Sequence, residues 1–135
     1  MNIKLLQFSS AALLLAGCTV APLHRSQLVA RKARVTFYSN GEDKYGSKLA
    51  TGGRAREGRT VAMEKSIPFG TPVVIPFLRG VVGGGEFVCE DRGRDVNNRK
   101  ASAGRYPVID VYCSNPSKRR RLSLELPAYM DVYGF

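Results

Sequence analysis

Short runs of β-branched and aromatic residues, each bounded by glycine, proline or asparagine, recur along most of this 135-residue chain. Such runs favour β-strands. Six short strands joined by irregular loops predict an all-β fold, and in particular a small closed barrel, because closure removes exposed sheet edges. The predicted strands span residues 34–38, 59–63, 72–76, 86–90, 108–113 and 130–133.

One short helix is predicted near the C-terminus, over residues 117–126. Ser117 is a suitable N-cap, and Pro127 would stop the helix because proline cannot continue it. Leu122 and Leu126 lie four residues apart and would form the buried stripe. The predicted fold is therefore six strands with a single helical element.

The N-terminus is typical of a secretion signal, because Lys4 precedes an apolar stretch, Leu5 to Leu15, that is too short to span a bilayer. The stretch ends in Leu-Leu-Ala-Gly-Cys, which resembles the bacterial lipobox, whose cysteine is acylated. This resemblance implies a signal peptide at residues 1–17 and a lipid anchor at Cys18. The alternative is a simple secretory signal in which Cys18 is incidental. Thr19 after the cysteine resembles the default for sorting to the outer membrane, facing the periplasm.

Residues 18–32 are polar, basic and non-periodic, which predicts a tether, and residues 33–135 predict one domain. The net charge of +10 indicates a polyanionic partner, such as peptidoglycan or anionic lipid headgroups. Nucleic acid is disfavoured, since the basic residues are scattered and no recognition signature is present. We expect a monomer.

With Cys18 assigned to lipid, two cysteines are left, Cys89 and Cys113. In an oxidising compartment they either form a disulfide or remain two small buried thiols. Strand alternation predicts that Cys89 shares a face with Asp91 and that Cys113 faces away from Asp110. Two cysteines without a nearby histidine do not predict a metal site, so we expect no metal and no cofactor.

Two of the predicted strands carry an aspartate at or near the end, Asp91 in Glu-Asp-Arg-Gly and Asp110 in Val-Ile-Asp-Val-Tyr. Two carboxylates brought together by the fold suffice for acid/base chemistry on a sugar or a phosphate. The alternative is that each aspartate caps a loop or forms a turn.

Residues 60–76, 88–93 and 108–112 together resemble the 3D domain, a family named for three aspartates and found in membrane-bound lytic transglycosylase A. The similarity runs from about residue 34 to residue 133, in the order of the family. It implies a six-stranded double-psi β-barrel that acts on peptidoglycan. The Ile-Pro-Phe-Gly-Thr and Asp-Arg-Gly pieces also resemble rare lipoprotein A, a related double-psi barrel.

The resemblance places Asp91 and Asp110 on the second and third aspartates of the family, while Glu64 stands in place of the first. It implies a lytic transglycosylase that cleaves between N-acetylmuramic acid and N-acetylglucosamine and leaves 1,6-anhydro ends. Asp110 is preferred as the acid, because an arginine beside Asp91, Arg92, would favour the ionised form of that group. The alternatives are a non-catalytic barrel that binds peptidoglycan, and hydrolysis by water.

Several further residues are candidates for glycan contacts. Aromatic faces pack on sugar rings and hydroxyls orient them, which suggests Tyr38, Tyr112 and Thr51. Cationic side chains near the aspartates could bind carboxylates of the peptide stems, or could simply be solvated; these are Arg92, Lys100 and Arg105.

Overall fold

The computed structural model describes residues 29–40 and 48–135. The predicted signal peptide, Cys18 and most of the predicted tether lie outside the described residues. The described part contains β1 (Arg31–Tyr38), β2 (Thr60–Ala62), β3 (Pro72–Val74), β4 (Glu86–Asp91), α1 (Arg94–Asn97), β5 (Val108–Tyr112), α2 (Pro116–Glu125) and β6 (Tyr129–Val132), with 3-10 turns at Pro76–Leu78 and Lys100–Ser102. Within these ranges no helix has the length and apolar character needed to cross a membrane.

All six strands belong to one sheet, in the order β3-β4-β2-β5-β1-β6. The pairs β1–β5 and β2–β4 are parallel, and the other three pairs are antiparallel. A bridge between Val74 and Tyr133 links the two edges of the sheet. The sheet therefore curls into a half-barrel, which confirms the predicted small all-β fold with one helix of more than a single turn near the C-terminus.

The inner face of the curled sheet holds the main hydrophobic core, built from alternate residues of the strands. The turn at Pro76–Leu78 adds Leu78 and helix α2 adds Leu122. The buried strand residues include Val35, Phe37, Val61, Val73, Phe87, Cys89, Ile109, Val111, Met130 and Val132. Their alternation leaves the intervening side chains of each strand on the outer face.

The N-cap of helix α2 lies two residues earlier than predicted, at Asn115 and not at Ser117. The Asn115 side chain accepts hydrogen bonds from the backbone N–H groups of Ser117, at 2.8 Å, and Lys118, at 3.1 Å. Pro116 follows at the first helical position, where a missing N–H costs nothing. Leu122 is buried and Leu126 packs against the core, as the sequence predicts.

Cys89 and Cys113 are buried free thiols, so the disulfide alternative is not formed. Strand β2 lies between β4, which carries Cys89, and β5, which precedes Cys113. Burial raises the pKa of Cys113 to about 11 and raises that of Cys89 as well. Both thiols therefore act as small core side chains.

Strand β4 contains a bulge that changes which side chains face the core. Val61 of β2 pairs with Cys89, but the next residue, Ala62, pairs with Asp91, so Glu90 is an extra residue on β4. Asp91 consequently shares the outer face with Ala62, and the prediction that it shares a face with Cys89 is wrong. The prediction that Cys113 faces away from Asp110 is confirmed, because Cys113 lies in the core.

Candidate functional site

Four adjacent strands bring four side chains into one row across the outer face of the sheet. Thr36 on β1 is the register partner of Asp110 on β5, which pairs with Ala62 on β2, which pairs with Asp91 on β4. Register partners share a face, and neighbouring strands lie about 4.8 Å apart. The α-carbons of the two aspartates are therefore about 10 Å apart, with the small, buried Ala62 between them.

Asp91 is held by three hydrogen bonds that occupy both of its carboxylate oxygens. Oδ1 accepts from the backbone N–H groups of Ala50 and Arg92, both at 2.9 Å. Oδ2 accepts from the Tyr38 hydroxyl at 2.9 Å. A carboxylate with donors on both oxygens is fixed in position, so Asp91 is a preorganised carboxylate at one end of the row.

Tyr38 donates a hydrogen bond to Asp91 and lies close enough to Asp110 to respond to its charge. Burial raises the pKa of its hydroxyl strongly, and the charges of Asp91 and Asp110 and the hydrogen bond to Asp91 raise it further. Tyr38 therefore stays protonated. Its ring packs edge-on against Tyr112, with 5.4 Å between the ring centroids. Tyr112 itself is only 3% exposed, so it packs against Tyr38. The prediction that Tyr112 contacts the glycan is therefore wrong.

A pocket of about 360 Å³ opens over Asp110. The Thr36 hydroxyl donates a hydrogen bond of 2.8 Å to Asp110 Oδ1. The sheet forms one wall of this Asp110 pocket, and α1 with the 3-10 turn after it forms the opposite wall. The lining residues are Thr36, Phe37, Tyr38, Val108 and Asp110 from the sheet, and Asp95, Val96, Lys100 and Ala101 from the other wall.

Glu64 does not line the Asp110 pocket, because it forms an ion pair with Arg99. The two Arg99 nitrogens Nε and Nη2 each lie 2.8 Å from a different oxygen of Glu64, and the Ser66 hydroxyl donates to Oε1 at 3.0 Å. The hydrogen bonds from Arg99 lower the pKa of Glu64 below its ordinary value. Glu64, which the resemblance places on the first aspartate of the family as a catalytic candidate, is thus paired with Arg99 and does not join Asp91 and Asp110 in their row.

The Glu64–Arg99 pair attaches the second wall of the pocket to the segment that follows β2. The same segment donates the backbone N–H of Lys65 to the Asn97 side chain at 2.7 Å. Arg99 has a φ of 49°, in the left-handed region, and joins α1 to the 3-10 turn at Lys100–Ser102. Glu64 thus has a positioning role.

Arg92 points away from the Asp110 pocket, which corrects its predicted role in glycan binding. Its guanidinium donates to Cys89 Sγ at 2.8 Å and to the Ile67 carbonyl, and it lies 3.9 Å from the centroid of the Phe69 ring. Arg92 contacts the Asp91 carboxylate through its backbone N–H. The side chain therefore stabilises the loop between β2 and β3.

The other residues predicted to contact glycan lie either at the rim of the Asp110 pocket or on the exposed surface. Lys100 lines the Asp110 pocket and lies 3.4 Å from Asp95, another lining residue. Thr51 is exposed in the turn after Ala50. Arg105 is exposed and donates to the Ser102 carbonyl at 3.4 Å. Among residues 29–40 and 48–135, no group of three or more histidine, cysteine, aspartate or glutamate side chains could hold a metal ion.

Sequence reasoning missed Thr36, Ala62 and Arg99. Thr36 could have been found, because it lies two residues before Tyr38 and therefore on the same strand face. Ala62 becomes important only through the pairing of its two neighbouring strands, and Arg99 only through a contact with a residue 35 positions away.

No family model, curated protein or solved structure matches this chain.

Proposed function

We propose that this protein is a lytic transglycosylase of peptidoglycan, with Asp110 as the acid and base of the reaction. The observation that carries the proposal is the placement of Asp110 in an open pocket, in one row with the fixed charge of Asp91. The motifs that resemble the 3D domain support the substrate class. The motif that resembles a lipobox at Cys18 supports a lipid anchor, and Thr19 after it supports a position at the outer membrane, facing the periplasm.

The reaction needs one carboxylic acid used twice. Protonated Asp110 donates its proton to the leaving glycosidic oxygen of N-acetylglucosamine. The resulting carboxylate then takes the proton of the muramoyl 6-hydroxyl as that oxygen bonds to the anomeric carbon, which closes the 1,6-anhydro ring and restores the acid. No water enters the product, and no bond to the protein is formed.

The neighbours of Asp110 have separate tasks in this scheme. Thr36 orients the Asp110 carboxyl through its 2.8 Å hydrogen bond. Asp91 is a fixed negative charge that stabilises the positive charge developing at the anomeric carbon. Tyr38 presents a neutral ring and hydroxyl to the sugar.

The charge of the molecule fits the same substrate. The net charge is +10, and Lys100 stands at the rim of the Asp110 pocket. Carboxylates of the peptide stems would be attracted to such a surface. The second candidate is a non-catalytic barrel that binds peptidoglycan, and it is favoured by one observation, the hydrogen bonding of both Asp91 oxygens within the protein.

The test is Asp110→Asn in the full-length chain, because the amide keeps the shape of the side chain but has no acidic proton to transfer. We expect release of anhydromuropeptides from purified sacculi, measured by mass spectrometry, to fall by roughly two to four orders of magnitude. Thermal melting and binding to sacculi should be unchanged.

Glu125→Gln is the matched control, since it makes the same chemical change at an exposed residue of α2. Equal release by Asp110→Asn and the parent would refute the catalytic assignment. A parent that binds sacculi but releases no anhydromuropeptide would establish the binding protein instead.

A further inference from the structure

A second pocket, of about 380 Å³, lies between β6 and the 3-10 turn at Pro76–Leu78. Three aromatic side chains line it, Phe77, Tyr129 and Tyr133, together with Lys32 and Asp131. We call it the aromatic pocket. Phe77 is 51% exposed, so its ring is available to a ligand.

The chemistry of the aromatic pocket suits a sugar. Tyr129, Asp131 and Tyr133 alternate along one side of the chain at β6, while Met130 and Val132 enter the core. Aromatic faces pack against the apolar faces of pyranose rings, and a carboxylate and an ammonium group bond to hydroxyls and amides. Lys32 and Asp131 are register partners, which places both charges at the same point of the pocket.

Strand β1 connects the aromatic pocket to the Asp110 pocket. Lys32 lines the first pocket, Thr36 and Tyr38 line the second, and all three belong to the alternate residues that face away from the core. From Lys32 to Tyr38 the strand spans about 20 Å. Between them Arg34 lies over the Tyr129 ring, 5.8 Å from its centroid.

We infer that the aromatic pocket is a distal subsite that binds the glycan strand beyond the bond cleaved at Asp110. The inference rests on the proposed function, since a linear polymer seated at Asp110 must continue along the surface. The outer face of β1 runs from Thr36, the register partner of Asp110, to Lys32 beside three aromatic rings, which favours an amino-sugar polymer over a small molecule as the occupant.

The test measures how binding depends on the length of the glycan. Full-length Asp110→Asn, in which cleavage should be slow, is titrated with fluorescent, soluble glycan strands, and Phe77→Ala is added to this variant. We expect Phe77→Ala to weaken binding of strands longer than about 20 Å roughly threefold to tenfold, the usual effect of one aromatic contact. Strands shorter than half that length should bind unchanged.

Two further variants make the result specific. Leu124→Ala removes an apolar side chain that is 81% exposed on α2. It should change neither the affinity for long strands nor the affinity for short strands. Asp131→Asn keeps the shape of the pocket and should also weaken binding of long strands only. A melting temperature equal to that of the parent establishes that each variant is folded.

The inference is overturned if Phe77→Ala binds long strands as tightly as its parent, if long and short strands weaken equally, or if Asp110→Asn binds no glycan. Cleavage is measured separately in the chain with Asp110. A loss of long-strand binding in a protein that releases no anhydromuropeptide would support the subsite and refute the proposed reaction.

Discussion

The two walls of the Asp110 pocket are built in different ways. The sheet wall carries Thr36, Tyr38 and Asp110 on strands that pair in register, so backbone hydrogen bonds fix each residue. The opposite wall is a four-residue helix followed by a 3-10 turn, and its described attachments include the Glu64–Arg99 pair and the Lys65–Asn97 hydrogen bond. The proposed acid, Asp110, lies on the wall whose geometry is fixed by backbone hydrogen bonds, whereas the opposite wall is attached through a few side chains.

The two walls should differ most in their response to a larger side chain. Ala62→Leu inserts a larger side chain between Asp110 and Asp91, at a residue that is 3% exposed. We expect a loss of about 1–3 kcal/mol in the free energy of unfolding and a loss of roughly 100-fold in rate, since a displacement of about 1 Å has that effect. Denaturant unfolding and anhydromuropeptide release measure the two losses.

The control is Ala101→Leu, an exposed residue of the opposite wall. It should lower the rate less than about tenfold. Equal losses from the two leucine substitutions would show that the walls do not differ in rigidity.

A smaller effect is expected when the attachment of the second wall is cut. Arg99→Gln removes both bonds to Glu64, so the wall that holds Asp95 and Lys100 loses one of its attachments. We expect KM for soluble glycan to rise about tenfold while kcat changes less than about threefold, because the acid stays in place. The matched control is Arg94→Gln, whose guanidinium is 89% exposed and lies 3.7 Å from Asp95. If both substitutions change KM equally, the attachment at Arg99 does not position this wall.

The smallest effect is a pH dependence of stability. Arg99 lowers the pKa of Glu64 in the folded protein below the ordinary value of 4.5. The stabilisation is therefore complete above about pH 4.5 and is lost as the pH falls through the folded pKa. We expect the parent to lose about 0.5–1 kcal/mol more than Glu64→Gln over that range, measured by urea unfolding at each pH.

Part of the loss in the free energy of unfolding at low pH should persist in Glu64→Gln, because the pKa of Glu57 is also lowered in the folded protein. For Glu57, burial alone would raise the pKa, but hydrogen bonds from Lys118 and Ser114 lower it. Glu57→Gln should remove this part. Identical pH curves for Glu64→Gln and the parent would mean that the ion pair does not stabilise the wall.

The sequence predicted the sheet wall better than the opposite one. All six strands lie where β-branched and aromatic runs predict them, and Tyr38 and Asp110 line the pocket. Alternation along a strand is a local property, so it can be read without knowing the partner strand. Strict strand alternation predicted the wrong face for Asp91, because the bulge at Glu90 depends on how β4 pairs with β2.

The second wall could not be predicted because its contacts are tertiary. The stretch from Arg94 to Ser102 has no apolar periodicity that would predict a helix, and it is ordered around Val96, Asn97 and Arg99 by residues far away in sequence. Arg92 was misassigned for the same reason. A position next to Asp91 in sequence does not determine the direction of a long side chain. Hydrogen bonds to the backbone carbonyls of the neighbouring loop determine it for Arg92.

The parallel pairing of β1 with β5 has a consequence for the biosynthesis of this protein. The bond from Thr36 to Asp110 joins residues 74 positions apart, and the bond from Tyr38 to Asp91 spans 53. Contacts between such distant residues form late and slow the folding of a small domain. A nascent chain that has been extruded only as far as residue 107 lacks β5 and with it Asp110, so the pocket is assembled only after β5 has emerged.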